Sequence, residues 1–334
     1  MKRYVILRVG WAIMTTLFLV ASSIFFIFFV LPGGAGRKGP GGVSSVAVLL
    51  AGRNARLADM RAVERELGLD QPIAVQYARY IGRLARGDLG FSYAAGAPVK
   101  HVILPAVPAS LSIAVGASFV WVTAGIAVGV ISAHGRGSWG DRAAMAAALA
   151  ALSIPVFVVA LMGLAFLLRL TGIYAGNRYV PLTENPIAWF EAMWLPWICL
   201  AFPLIAVYAR MVRSSVVGVQ GEDYIRTSWA KGLRKKQVVR HELRGSLTPV
   251  LTMYGLDFGL LLGGSIIIET IFRIPGLGSL LLGSRAFYDF PVMAGIVLLF
   301  SVAIVVANLT VDLLYGVLDP RVTVDATIAG GFTA

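Results

Sequence analysis

The sequence predicts an all-α membrane protein that crosses the bilayer six times. Of its 334 residues, 58% are hydrophobic and only 14% are charged, and the mean hydropathy is +0.80. Soluble domains carry about a quarter charged residues, so this deficit points to lipid as the surrounding solvent. The apolar residues are also gathered into long runs, and about 20 such residues span a bilayer as a helix.

The apolar runs follow one another along the whole chain. The first contains no charge and is too long for the core of a cleaved signal peptide, so we interpret it as an uncleaved helix. Pro155 is expected to kink the third run, and Pro196 and Pro203 to bend the fourth, since proline removes a helical hydrogen bond. The predicted spans are residues 9–31, 105–133, 143–168, 192–209, 246–272 and 291–315.

The connections between the spans define the domain organisation. Residues 1–31 form the N-terminus and first span, and a long hydrophilic insertion with short helices, expected to lie outside the cell, occupies residues 32–104. Residues 105–322 form the helical core, which includes a basic loop at 210–246, and residues 323–334 form a tail.

The positive charges predict the orientation. Nine Lys or Arg lie between Arg210 and Arg244, whereas the short loops on the opposite side hold few. The positive-inside rule therefore places the basic loop and both termini in the cytoplasm. Ten Lys or Arg in residues 32–104 argue the other way, but the rule is weak for loops longer than about 60 residues. A net charge of +12 is better explained by topology and anionic lipid headgroups than by nucleic acid.

Several classes of site are not expected in this chain. The single cysteine, Cys199, lies in an apolar run, and the three histidines are far apart, so no metal site, disulfide or catalytic group is predicted. The glycine-rich stretch 36–42 lacks the spacing of a nucleotide-binding P-loop. If ATP drives this protein, another chain binds it.

The basic loop carries the most informative pattern. Tyr224, Ile225, Trp229 and Leu233 recur at spacings that place them along one helical face. Gly232 is a typical helix stop, and a second basic helix is predicted over residues 235–243. A short amphipathic helix, a glycine break and a basic return helix favour a surface for another protein. The alternative is a basic loop that only fixes topology.

The residues of this loop also resemble a known motif. RTSWAKGL, followed by RHELRGSLTPVL, is similar to the EAA-type cytoplasmic coupling motif of permease subunits in ATP-binding-cassette (ABC) importers, within the dipeptide/oligopeptide/nickel family. Two positions depart: Glu242 stands where a small residue is usual, and Gly245 where Asn is usual. The resemblance implies docking into an ATPase subunit through Tyr224, Arg226, Thr227, Trp229, Ala230, Lys231, Gly232, Leu233, Arg240, His241 and Arg244.

The resemblance extends over most of the chain, through LGLDQP, GDLGFS, ETIF and PGLG. It implies a type I ABC importer permease in a bacterial cytoplasmic membrane, carrying di- or oligopeptides delivered by an external binding protein. It also implies a heterodimer with a second permease and two cytoplasmic ATPases that hold ATP and magnesium, while this chain binds no cofactor. Nickel, glutathione or another small solute is the alternative cargo.

Two acids within the fifth span are candidates for the translocation pathway, because charges inside a membrane are costly and often functional. Asp257 would line the passage, or else be a hydrogen-bonded acid buried against a neighbouring helix. Glu269 would lie near the outer mouth, or else pair with Arg273 four residues on. A more remote alternative is a secondary transporter driven by an ion gradient, in which these two acids would couple transport to the ion. A channel or membrane scaffold without energy coupling is a further possibility.

Overall fold

The computed structural model describes residues 56–66, 70–92, 94–171, 179–286 and 289–318, with a few isolated positions before residue 56. This part of the chain is predominantly helical, in agreement with the predicted class, and contains one two-stranded sheet. The helices are α1 (Leu57–Glu66), α2 (Ile73–Leu84), α3 (Val99–Ile103), α4 (Val107–His134), α5 (Trp139–Ser153), α6 (Val156–Thr171), α7 (Pro186–Gln220), α8 (Asp223–Ala230), α9 (Lys235–Ser246), α10 (Thr248–Phe272), α11 (Leu277–Ala286) and α12 (Phe290–Leu318).

Candidate membrane spans are clear within the described residues. Three helical segments, Val99–His134, Pro186–Gln220 and Phe290–Thr310, are long and apolar enough to cross a bilayer, and there are up to five spans if each of two bent helix pairs is counted as one. The predicted first span, residues 9–31, lies almost wholly outside the described residues, so the count of six stays a prediction. The tail 323–334 lies outside them as well.

The third predicted span is not one kinked helix. The chain ends α5 at Ser153 and begins α6 at Val156, and the two helices are bent by 103°. Ile154 between them is extended, with φ −95° and ψ 120°, because a residue before proline is pushed out of the helical region. Pro155 therefore breaks the span, a stronger effect than the expected kink.

The fourth predicted span is longer than expected. Helix α7 runs for 35 residues, beginning before the predicted start at 192 and continuing beyond the predicted end at 209. Asn185 starts it, because its side-chain oxygen accepts from the backbone N–H groups of Ile187 and Ala188. Pro196 and Pro203 lie inside the continuous helix.

The chain divides into two compact units. Among the described residues, the first contains residues 109–276 and 304–318. Here α4 packs closely on α7: an added Cβ at Gly125 would lie 2.5 Å from Cβ of Tyr208, and one at Gly129 would lie 2.7 Å from the carbonyl oxygen of Ala209. These two glycines, four residues apart on one face of α4, therefore allow the two helices to approach closely.

The second unit contains the described residues from 11 to 108 together with residues 277–303. The strands β1 (Phe91–Ser92) and β2 (Ala97–Pro98) pair antiparallel within the long insertion. Helix α3 follows directly, so the helical run into the second span begins at Val99, before the predicted boundary at 105. The core of this unit contains Ile103, Val292 and Ile296.

Candidate functional site

A helical hairpin follows the C-terminal end of α7 and contains the predicted coupling segment. Gln220 ends α7, and α8 begins at Asp223. Gly232 has φ +72°, a left-handed conformation that suits glycine at a helix end, so the predicted stop is confirmed. Helix α9 returns from Lys235 and runs three residues further than the predicted end at 243.

The apolar residues of α8 do not all lie on one buried face, as their spacing predicted. Ile225 is 1% exposed and Ser228 is also buried, so this side packs against the protein. Tyr224 is 46% exposed and Trp229 52% exposed. The helix therefore uses Ile225 as its anchor and leaves two aromatic side chains uncovered.

Most of the residues predicted to couple to an ATPase lie on the surface. Leu233 is half-buried. The basic side chains among them lie outside the buried side of α9, which is formed by Val238, Glu242 and Ser246. The predicted residues that are exposed are Tyr224, Arg226, Thr227, Trp229, Ala230, Lys231, Gly232, Arg240, His241 and Arg244.

Both departures from the family pattern have structural partners. Glu242 is 3% exposed, and its Oε2 lies 3.0 Å from Nε2 of His134 at the end of α4. An added Cβ at Gly245 would lie 2.3 Å from the hydroxyl oxygen of Tyr224. Burial, followed by the charges of Glu222 and Glu242, raises the pKa of the Tyr224 hydroxyl.

An ion pair between a buried acid and a half-buried arginine lies near the hairpin, and the sequence did not predict it. The Asp141 carboxylate of α5 accepts from Nε of Arg213 at 2.6 Å and from its Nη2 at 2.7 Å. The hydroxyl of Ser132 donates at 2.5 Å and the backbone N–H of Gly137 at 2.9 Å. These bonds tie α4, the following linker and α5 to α7. The sequence offered one signal for Asp141, the Ser138-x-x-Asp141 spacing that is typical of the start of a helix.

Asp257 lies against a neighbouring helix and is also partly exposed. The hydroxyl of Tyr208 on α7 donates to Oδ2 of Asp257 at 2.9 Å. Tyr254 and Phe258, on the same side of α10, have ring centroids 5.7 Å apart. The structure therefore shows the hydrogen bond of the second alternative with a partly exposed side chain, and a position lining the passage stays a prediction.

Glu269 is fully buried, with 0% exposure, rather than interfacial. Its Oε1 accepts from the hydroxyls of Ser110 at 2.8 Å and Ser265 at 3.1 Å. Arg273, the partner suggested by spacing, is exposed and ends α10 in a left-handed conformation with φ 52°. In this conformation the carboxylate offers no surface for a solute to touch.

The comparisons with known proteins decide the family. Residues 125–324 match the family described as the binding-protein-dependent transport system inner membrane component, and residues 1–114 match its N-terminal component. The chain belongs to this family. It is therefore a permease subunit of a type I ABC importer, a membrane protein whose transport system includes a binding protein and an ATPase.

Relatives match the permease over nearly its full length. One from Brucella abortus (strain 2308), named "Putative peptide transport system permease protein", is 36% identical over 97% of this chain and 100% of its own. Glutathione transport system permease protein GsiC of Escherichia coli (strain K12) is 37% identical over 96% of this chain and 99% of its own. Among the described residues, no group of three His, Cys, Asp or Glu side chains is placed to hold a metal ion.

Proposed function

We propose that the permease forms a translocation pathway for peptides and that the hairpin of α8 and α9 receives the motion of a cytoplasmic ATPase. The peptide assignment is supported by relatives named for peptide and glutathione transport. Glutathione is itself a modified tripeptide, so both names belong to one class of cargo.

The observation that carries the coupling role is the two-sided character of α8. Its inner side is held by Ile225, while Tyr224 and Trp229 remain exposed beside Arg226. Exposed aromatic and arginine side chains are the residue types enriched at the centres of protein interfaces. A loop that only fixed topology would need the basic charges but not the exposed rings.

The hairpin lies on the cytoplasmic side in this proposal. Nine Lys or Arg fall between Arg210 and Arg244, and positively charged short loops stay inside the cell. Both termini then share that side if the chain crosses six times. Two ATPases bind ATP and magnesium there, and a second, homologous permease completes the pathway.

The mechanism is a rigid-body movement. When the ATPases close on ATP, the docked α8 moves with them, and the helices joined to the hairpin follow, so that access alternates between the two sides of the membrane. This chain supplies binding surfaces and mechanical connection, while hydrolysis takes place on its partners.

The docking role is tested by replacing an exposed ring on α8. Trp229→Ala should reduce the amount of ATPase that copurifies with the tagged permease, because an interface aromatic is lost while the fold is not. Trp139 is 85% exposed and lies outside the hairpin, so Trp139→Ala is the matched control and should retain the ATPase. Equal retention by both variants would contradict docking at α8.

The cargo is tested in proteoliposomes that contain the whole transporter. With binding protein outside and ATP inside, a radiolabelled peptide should accumulate only with hydrolysable ATP. Accumulation that instead follows an imposed proton or sodium gradient would support the ion-coupled alternative and contradict the proposal.

A further inference from the structure

An acid in the middle of the fifth predicted span lacks a cationic partner among the described residues. Asp257 lies about midway along the 25-residue helix α10, whose other described residues between Thr248 and Glu269 carry no charge. An ionised side chain at such a depth is costly and tends to mark a pathway for a charged solute.

The packing of α10 leaves this acid accessible. On another side of the helix, Gly259 lies close to Ile304, since an added Cβ would be 3.1 Å from that side chain. Tyr254, Asp257 and Phe258 share a side, at spacings of three and four residues. All three are half-buried, neither sealed in the core nor fully exposed.

One oxygen of the carboxylate is held in place. Tyr208 is fully buried and donates to Oδ2 of Asp257 at 2.9 Å. Its ring lies 6.2 Å from that of Trp121, which is also fully buried. The Trp121 ring also lies near that of Tyr254, with ring centroids 6.0 Å apart. The carboxylate is thus oriented by a packed aromatic cluster.

The neighbouring rings suit the same kind of ligand as the carboxylate. The faces of tyrosine and phenylalanine attract cations through the ring quadrupole. An acid with one oxygen fixed and two half-exposed aromatic rings beside it forms a combined ionic and cation–π surface. A metal ion would prefer several oxygen ligands, whereas an ammonium group matches one carboxylate and aromatic faces.

We propose that Asp257, with Tyr254 and Phe258, forms a subsite for the ammonium group of the transported peptide. The site rests on the proposed peptide function, which it makes more specific. The ammonium can be the N-terminus of the peptide or a lysine side chain, since both present the same chemistry.

Two variants separate a substrate contact from a structural bond. Asp257→Asn removes the charge but keeps an oxygen that can accept from Tyr208. Tyr208→Phe removes that hydrogen bond but keeps the charge. We expect Asp257→Asn to lower the uptake rate of Ala-Ala-Ala by about tenfold, the effect of losing a hydrogen bond to a charged group. Tyr208→Phe should lower it by less than threefold, and Asp257→Glu should restore most of the rate.

The measurement uses the assembled transporter in proteoliposomes at saturating binding protein. Three radiolabelled probes are Ala-Ala-Ala, N-acetyl-Ala-Ala-Ala and N-acetyl-Ala-Lys-Ala. The ratio of variant to wild-type uptake is compared between probes, so that the preference of the binding protein cancels. The ratio for Asp257→Asn should be low for each probe with an ammonium group, and near one for the acetylated trialanine. A low ratio confined to one ammonium probe identifies the N-terminus or the lysine as the ligand.

Other outcomes overturn the subsite. Wild-type uptake of Ala-Ala-Ala by Asp257→Asn, or a larger loss in Tyr208→Phe, would assign the acid a purely structural role. So would loss of complex assembly in Asp257→Asn, measured by size-exclusion chromatography. If the wild-type transporter shows no ATP-dependent uptake of any peptide, the proposed function fails instead, which is a separate result.

Discussion

The glycine after the fifth predicted span should not tolerate a side chain, because a buried carboxylate fills the space beside it. An added Cβ at Gly276 would lie 2.4 Å from Cδ of Glu269 and 2.5 Å from its Oε2. Glu269 is fully buried, so its side chain cannot move out into solvent. Gly276→Ala must therefore displace the carboxylate or the backbone of the turn.

The size of this effect follows from the contacts. Ordinary contact begins near 3.4 Å, so the added Cβ and Cδ of Glu269 must separate by about 1 Å. The hydrogen bonds from Ser110 at 2.8 Å and Ser265 at 3.1 Å would be stretched or broken by such a shift. Hydrogen bonds to charged groups contribute about 1.5–3 kcal/mol each, so we expect a loss of about 3 kcal/mol in the free energy of unfolding.

Thermal unfolding of the detergent-purified transporter measures this loss as a midpoint lowered by several degrees. Gly283→Ala is the control, because an added Cβ there meets nothing within 4 Å and alanine favours a helix by about 1 kcal/mol. Glu269→Asp shortens the acid and should partly rescue Gly276→Ala. Equal stability of the two alanine variants, or strict additivity in the double variant, would refute the reasoning.

Three further predictions concern the hairpin and the helices that hold it. Gly245→Ala should push the Tyr224 ring outward and weaken ATPase copurification severalfold. The free energy of unfolding should change by less than about 1 kcal/mol, because the hydroxyl end of the ring can move. In a Tyr224→Ala background, Gly245→Ala should have no further effect. Glu242→Ala should cost about 1–3 kcal/mol in thermal unfolding, because it empties the buried space that the Glu242 side chain fills. Glu242→Gln keeps that volume and should cost less. Arg213→Gln should preserve the basal ATPase activity of the transporter but abolish most of the peptide uptake that the binding protein stimulates, because Asp141 loses its bidentate partner. Peptide uptake at the wild-type level would exclude a role of this ion pair in coupling.

Local signals predicted the parts of the fold that local chemistry decides. The stop at Gly232 follows from a left-handed backbone that glycine adopts without strain. The close approach at Gly125 and Gly129 follows from two missing side chains on one helix face. Apolar runs likewise predicted spans, because a bilayer requires a minimum apolar length.

Contacts between distant residues could not be predicted in the same way. Asp141 and Arg213 are 72 positions apart, and no periodicity connects them. The four-residue spacing of Ile225 and Trp229 predicted that both lie on one face of α8, but only Ile225 is buried. The exposure of Trp229 depends on where α8 packs against the rest of the protein, which the spacing does not contain. The break at Pro155 exceeds a kink, since the bend between the two half-helices is 103°.

The anchoring of the hairpin gives the proposed transmission of force a physical route. Ile225 and Val238 bury the inner sides of its two helices, and Glu242 joins the return helix to the end of α4. The same end of α4 is tied through Asp141 to Arg213 on α7. A force on the exposed side of α8 therefore reaches the helices through close packing and charged contacts, and packed interfaces of this kind shift between discrete arrangements rather than deform gradually. The movement that opens the pathway should then depend more on these few packing contacts and ion pairs than on the basic charges around them.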